Sequence, residues 1–148
     1  MKQKVTFTSD TCRLAEIRQT VRNFLSACGF EECEAELLVL ALDEACTNII
    51  RHAYANACKP VRLEMDRRRD RVRFTLRDYG RSCDPDRIRS RNLEDVRPGG
   101  VGVHIIKQAF DSVTYEPRPR GTKLVLEKLL PNQRDPESTG DHRGIPNL

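Results

Sequence analysis

A stretch of the chain that begins with six apolar residues, residues 37–54 (LLVLALDEACTNIIRHAY), also carries Glu44 and Asn48. Glu44 and Asn48 are four residues apart, so on a helix they share one face. Residues 37–42, just before them, are apolar on every side, which is typical of a helix buried all round or of a core strand. Carboxylates and carboxamides are costly to bury without partners. The stripe therefore either faces solvent or meets a bound ligand or metal.

Two turns also carry residues that could bind a ligand. Asp78 ends a predicted strand and Gly80 follows it, which indicates either an ordinary turn or a carboxylate presented at the edge of a pocket. Gly99, Gly100 and Gly102 open a predicted helix. The free backbone N–H groups and positive dipole of a helix N-terminus suit phosphate, although glycines before a helix are also common in ordinary turns.

Hydrophobic periodicity predicts the elements that would position these residues. Alternating patterns predict an antiparallel sheet with one buried face, and helical patterns predict helices that cover this face. The predicted strands are 3–8, 61–66, 71–77, 112–116 and 123–129, and the predicted helices are 14–28, 31–56 and the segment after residue 102. Residues 131–148 are polar and contain three prolines and two glycines, which predicts a disordered tail.

Composition limits the class of protein. The chain has 148 residues, 38% hydrophobic and 32% charged, which is enough for one domain with a core. No apolar run approaches the roughly 20 residues that cross a bilayer, and the N-terminus does not resemble a signal peptide. We therefore expect a cytoplasmic protein without a membrane partner, whose six cysteines stay reduced. Arginine supplies 20 of the 26 basic residues, but aromatics are only 5%, so direct nucleic-acid binding is not expected.

In order and spacing, the motifs resemble those of the GHKL superfamily of ATPases and kinases. The N box, the G1 and G2 boxes and the late Gly-Thr pair stand here as Glu44-x-x-x-Asn48, Asp78-x-Gly80, Gly100-x-Gly102 and Gly121–Thr122. Within the superfamily, the phrases DEACTNIIRHAY, PGGVGVHIIKQAFDSVTYE and GTKLVLEK are similar to the small bacterial serine-protein kinases that act as anti-sigma factors. The resemblance covers about residues 5–130.

The resemblance implies a fold and a set of residue roles. The fold is an α/β (α+β) two-layer sandwich of the Bergerat ATP-binding type, a mixed, mostly antiparallel sheet with helices on one face, forming a histidine-kinase-like ATPase domain over residues 1–130. With ATP and Mg²⁺ bound, Glu44 would be the general base, Asn48 would hold the metal and Asp78 would accept the adenine amino hydrogen. The remaining contacts to the base and the phosphates would come from Gly80, Gly100, Gly102 and Thr122.

The resemblance also implies an activity. We expect an ATP-dependent serine-protein kinase that phosphorylates a STAS-type anti-anti-sigma protein and sequesters a sigma factor, in a family that often forms homodimers. Ser82 occupies the place of the second G1 glycine, which leaves open a nucleotide-binding module that sequesters a partner without transferring phosphate. Glu44 favours the enzyme, because a pure binding module needs no base. The sequence shows no phosphoacceptor-histidine helix pair, so a detached ATPase module of the histidine-kinase or gyrase type is not favoured.

Overall fold

A sheet and a layer of helices make up the described part of the chain. The computed structural model describes residues 1–8, 13–53, 59–80 and 101–133. The strands are β1 (Lys2–Thr8), β2 (Pro60–Arg67), β3 (Arg71–Asp78), β4 (Ser112–Pro117) and β5 (Thr122–Leu129). The helices are α1 (Leu14–Ala27), α2 (Glu32–Asn48) and α3 (Val101–Ala109). A π-helical turn, Ile49–Ala53, continues α2, and a short 3-10 helix, Pro131–Gln133, follows β5.

The strands form one sheet in the order β1-β2-β3-β5-β4, and every described pairing is antiparallel. β2 and β3 are consecutive in the chain and are neighbours in the sheet. The chain between β3 and β4 includes α3, and the strand that pairs with β3 on its other side is β5. In the β3–β5 register, Arg77 is opposite Lys123. One residue further along, the end of β3 meets the start of β5, which brings Asp78 to Thr122.

Alternation along the strands separates an apolar inner face from a charged outer face. On the inner face, Leu63, Phe74 and Leu126 are completely buried, and each such side chain contributes about 1.5–3 kcal/mol. On the outer face, Arg73 of β3 pairs with Glu127 of β5 at 3.0 Å. Partly exposed ion pairs of this kind contribute little to stability, so the inner face holds the sheet to the helices.

Aromatic rings join the helices to the sheet. The ring of Phe74 lies 5.9 Å from the ring of Phe24 in α1 and 5.9 Å from the ring of Phe110, which follows α3; both pairs are edge-to-face. Such pairs contribute about 0.5–1.5 kcal/mol each beyond their burial. α2 packs against both α1 and α3, so the three helices form one layer. α1 ends as predicted, with Gly29 in the left-handed conformation at a φ of +92°.

The predicted two-layer α+β fold is confirmed, with a sheet that is antiparallel throughout its described part. The interpretation of residues 37–42 as buried on every side was wrong, because Leu37 is 42% exposed and Leu40 is 46% exposed. α2 is covered by its neighbours on one side only, and these leucines lie on the other.

Several predictions fall on residues beyond those described. The end of the central helix near residue 56 and the tail from residue 134 onward lie outside the described residues. The first three residues of the predicted tail, Pro131–Gln133, form the short 3-10 helix. None of the helices in the described ranges is both long and apolar enough to cross a membrane.

Candidate functional site

The Asp78 side chain lies at the inner end of β3 and is only 3% exposed. The strand alternation places Asp78 on the same face as the buried Phe74 and Leu76. The backbone N–H of Gly80 donates to its Oδ1 at 3.1 Å, and Thr122, at the start of β5, presents its backbone N–H to the same carboxylate. Burial raises the pKa of the Asp78 carboxyl above its usual value, while these two N–H groups and the Arg77 guanidinium oppose part of the rise. The result is a buried, oriented acceptor at a strand end.

Gly121 explains how the turn before β5 can approach Asp78 so closely. Its φ is +82°, which L side chains rarely adopt. A Cβ atom built on Gly121 would lie 2.1 Å from the Asp78 carbonyl oxygen and 2.8 Å from Asp78 Oδ1. Carbon and oxygen atoms do not approach to these distances without bonding. Glycine at this position is therefore a condition for the contact between the two strand ends.

Arg77 holds the same strand ends together from the outer face. Its guanidinium donates to the carbonyl oxygen of Asp78 and, at 3.4 Å, to the carbonyl oxygen of Thr122. The guanidinium carbon lies 4.6 Å from the centre of the Tyr79 ring, a cation–π distance. The alternation in β3 predicts only that Arg77 lies on the outer, solvated face of the sheet, and it does not indicate this role. The position of Arg77 next to Asp78 was the available signal, because adjacent strand residues lie on opposite faces of the same strand end.

Glu44 and Asn48 lie on one face of α2, as their spacing predicted, and both are half-buried. Among residues 1–8, 13–53, 59–80 and 101–133, neither side chain has a hydrogen-bond or ion-pair partner. A half-buried polar side chain without a partner in these ranges can meet water or a ligand, so the stripe is available to a ligand. The π-helical turn Ile49–Ala53 starts directly after Asn48. Such turns are rare and often occur at functional sites, and no feature of the sequence pattern predicts this one.

The described residues do not complete the predicted site. Gly102 lies in the first turn of α3, a helix that packs against α2. Gly100, which belongs to the turn expected to bind phosphate, lies outside the described residues, and so does Ser82. The structure therefore brings together Asp78, Gly80 and Thr122, and separately aligns Glu44 with Asn48.

The chain matches a known family of domains. Residues 7–128 match the family model of the histidine kinase-like ATPase domain, which is most of the chain. The serine-protein kinase RsbW of Halalkalibacterium halodurans is 30% identical over 127 residues, which cover 80% of this chain and 76% of that protein. The chain therefore belongs to the histidine kinase-like ATPase family, in the branch of serine-protein kinases that act as anti-sigma factors.

Solved structures support the fold independently. The RsbU and RsbW domains of a Mycobacterium tuberculosis protein align with a TM-score of 0.62 at 15% identity, over 87% of this chain and 32% of that longer chain. A chain of the SiaB-SiaC complex from Pseudomonas aeruginosa aligns with a TM-score of 0.58 at 14% identity, over 84% of this chain and 88% of that chain. At these identities the likeness concerns the fold alone.

Proposed function

We propose that this serine-protein kinase transfers the γ-phosphate of Mg·ATP to a serine of a STAS-type anti-anti-sigma protein. We propose further that it sequesters a sigma factor when this partner is modified or absent, and that it does so as a cytoplasmic homodimer. Family membership supports the kinase class and an ATP site. The relatives that carry the name serine-protein kinase support serine as the acceptor.

Asp78 is the residue we assign to the adenine ring. Its carboxylate accepts hydrogen bonds only, and the backbone N–H of Gly80 orients it. It can accept the amino hydrogen of adenine, whereas guanine presents a carbonyl oxygen at that position and would be repelled. Gly80 would allow the base to approach, and Thr122 would support the contact from the neighbouring strand. Gly100 and Gly102 would offer backbone N–H groups to the phosphates.

Asn48 and Glu44 are the residues we assign to the phosphoryl transfer. The carboxamide oxygen of Asn48 is a hard donor of the kind Mg²⁺ prefers, and Mg²⁺, when bound, neutralises phosphate charge. Glu44 would accept the proton of the serine hydroxyl. At the same time the serine oxygen would bond to the γ-phosphorus, and the bond between this phosphorus and the ADP oxygen would break. The observation that carries the proposal is the stripe itself: two half-buried polar groups on one helix face, without partners in the described part of the chain.

The test of the base is a kinase assay with the STAS-type partner, Mg·ATP and phosphoserine detection by mass spectrometry. Glu44→Gln should slow the transfer by about 10²–10⁴-fold, the usual contribution of a general base, and should leave ATP affinity within twofold of the parent. Glu32→Gln is the matched control, because Glu32 is exposed in the first turn of the same helix, about three turns before Glu44. Undiminished transfer in Glu44→Gln would refute the assignment.

The test of the adenine contact compares ATP with GTP. Asp78→Asn should weaken ATP binding and reduce the preference for ATP over GTP, because the amide can also donate to a carbonyl oxygen. Asp70→Asn is the control, since Asp70 lies in the exposed turn between β2 and β3. An unchanged ATP-to-GTP ratio in Asp78→Asn would contradict the assignment.

A nucleotide-binding module without turnover is the second candidate, and Ser82 in place of a G1 glycine is the observation that favours it. The kinase assay separates the two. ATP binding with intact partner binding but without phosphoserine would favour the module.

A further inference from the structure

The outer face of α2 carries two exposed leucines beside the stripe that we assign to phosphoryl transfer. Leu37 and Leu40 are 42% and 46% exposed, while most large apolar side chains of the described residues belong to the core. Leu40 is four residues before Glu44 and Leu37 is seven before it, so all three lie on one helical face. Single exposed apolar side chains are ordinary on protein surfaces, and these two matter because they are neighbours on the helical face that carries Glu44.

Charged pairs border the leucines on the side that faces α1. Asp43, three residues after Leu40, pairs with Arg18 at 3.0 Å, and Glu36, four residues before Leu40, pairs with Arg22. The surface thus has an apolar centre and a polar edge whose charges are already balanced. This is the composition of protein interfaces, where the centre contributes most of the affinity.

The distance of the two leucines from Glu44 bears on which molecule covers them. Along a helix of about 1.5 Å rise per residue, Leu40 and Leu37 lie about 6 and 10 Å from Glu44. A folded protein partner covers about 800 Å² on each side, a patch roughly 16 Å in radius. A protein substrate must bring a hydroxyl within hydrogen-bond distance of Glu44. If the surface that it covers is centred on Glu44, it therefore extends over both leucines.

We propose that Leu37 and Leu40 form the docking surface for the protein substrate, a folded partner whose acceptor serine is bordered by apolar side chains. The proposal rests on the assignment of Glu44 as the base. The leucines hold the partner, and Glu44 acts on the hydroxyl that the docking brings to it. A second copy of the chain is the competing occupant.

The experiment uses the full chain with the double change Leu37→Gln and Leu40→Gln, which retains side-chain length and helix propensity. Binding of the STAS-type partner is measured by calorimetry in the presence of a non-hydrolysable ATP analogue. The double variant should bind the partner at least about tenfold more weakly, because both apolar groups at the centre of the surface are replaced. Its affinity for the ATP analogue should stay within twofold of the parent. Lys107→Gln, on the exposed side of α3, is the control and should bind the partner normally.

The outcomes distinguish this proposal from the proposed function. Unchanged partner affinity in the double variant would overturn the docking surface. A loss of self-association, measured by light scattering, with unchanged partner affinity would also overturn it, in favour of a contact between copies. If the parent binds the partner without phosphorylating it, the kinase proposal fails, while the calorimetric comparison still decides the docking surface. A parent that does not bind the partner would overturn both.

Discussion

The substitution Gly121→Ala should disrupt the Asp78 site, and Gly29→Ala provides a matched control. Both glycines have positive φ, +82° at Gly121 and +92° at Gly29. Alanine in this conformation costs about 1–2 kcal/mol at either position. The two sites differ in space, because a Cβ on Gly29 would meet nothing within 4 Å, whereas a Cβ on Gly121 would lie 2.1 Å from the Asp78 carbonyl oxygen.

The magnitude follows from that overlap. Relief of the clash requires β3 and β5 to separate by about 1.4 Å, since non-bonded heavy atoms prefer separations near 3.5 Å. This shift would break the hydrogen bond from Arg77 to the Thr122 carbonyl oxygen and draw the Thr122 N–H away from the buried Asp78 carboxylate, and each lost bond of a buried group costs about 1–3 kcal/mol. We therefore expect Gly29→Ala to lose about 1–2 kcal/mol and Gly121→Ala about 3 kcal/mol or more. In a chain of this size, the Tm should fall by about 2–8 °C in Gly29→Ala and by at least about 6 °C in Gly121→Ala.

Two assays are needed, because stability alone would not show an effect on the site. Urea unfolding gives the free energies, and ATP titration at a temperature where both variants are folded gives the affinities. Gly121→Ala should bind ATP at least about tenfold more weakly, a loss of about 1.4 kcal/mol, and Gly29→Ala should bind it normally. Equal destabilisation of the two variants, or parental ATP affinity in Gly121→Ala, would refute the steric reasoning.

Three further predictions concern the pKa values and the core. Burial raises the folded-state pKa of Asp78 above its ordinary 3.8, so the stability that its protonated form contributes is full below pH 3.8 and is lost as the pH rises through the folded-state pKa. Across that interval the unfolding free energy of the parent should fall relative to that of Asp78→Asn, and parallel pH curves for the two proteins would contradict this. Burial raises the pKa of Cys46 to about 12, so iodoacetamide at pH 8 should alkylate the exposed Cys33 and spare Cys46 in peptide mass maps, whereas equal labelling would oppose it. Phe74→Ala removes the ring between Phe24 and Phe110 and should cost about 3–5 kcal/mol in urea unfolding, with a loss below 1 kcal/mol arguing against the packing described.

The fold could be predicted from the sequence because its signals are local. Alternation in β2 and β3 fixes which side chains face the core, and a one-residue error would turn the whole row outward. The end of α1 was also predictable, since Gly29 supplies the left-handed residue that terminates a helix. Spacing alone placed Glu44 and Asn48 on one face, because four residues make about one helical turn.

The arrangement around Asp78 could be predicted only in part, because it depends on contacts between distant segments. A turn motif indicates that Asp78 and Gly80 are adjacent, but the approach of Gly121 depends on the pairing of β3 with β5, 43 residues away in the chain. The role of Arg77 is similar, since its two carbonyl partners belong to different strands. The π-helical turn after Asn48 is a third case, because its hydrogen bonds differ from those of an α-helix while its residue types do not.

The error at Leu37 and Leu40 has a physical cause that bears on function. Hydrophobicity reports that a side chain avoids water, and it does not distinguish burial within the chain from burial against a partner. The described fold covers one side of α2 through α1 and α3, and it leaves these two leucines exposed. If the protein substrate docks there, residues 37–42 become buried on every side in the complex. In that case the pattern in the sequence describes the surroundings of α2 during phosphoryl transfer, and the exposure of the two leucines belongs to the kinase without its substrate.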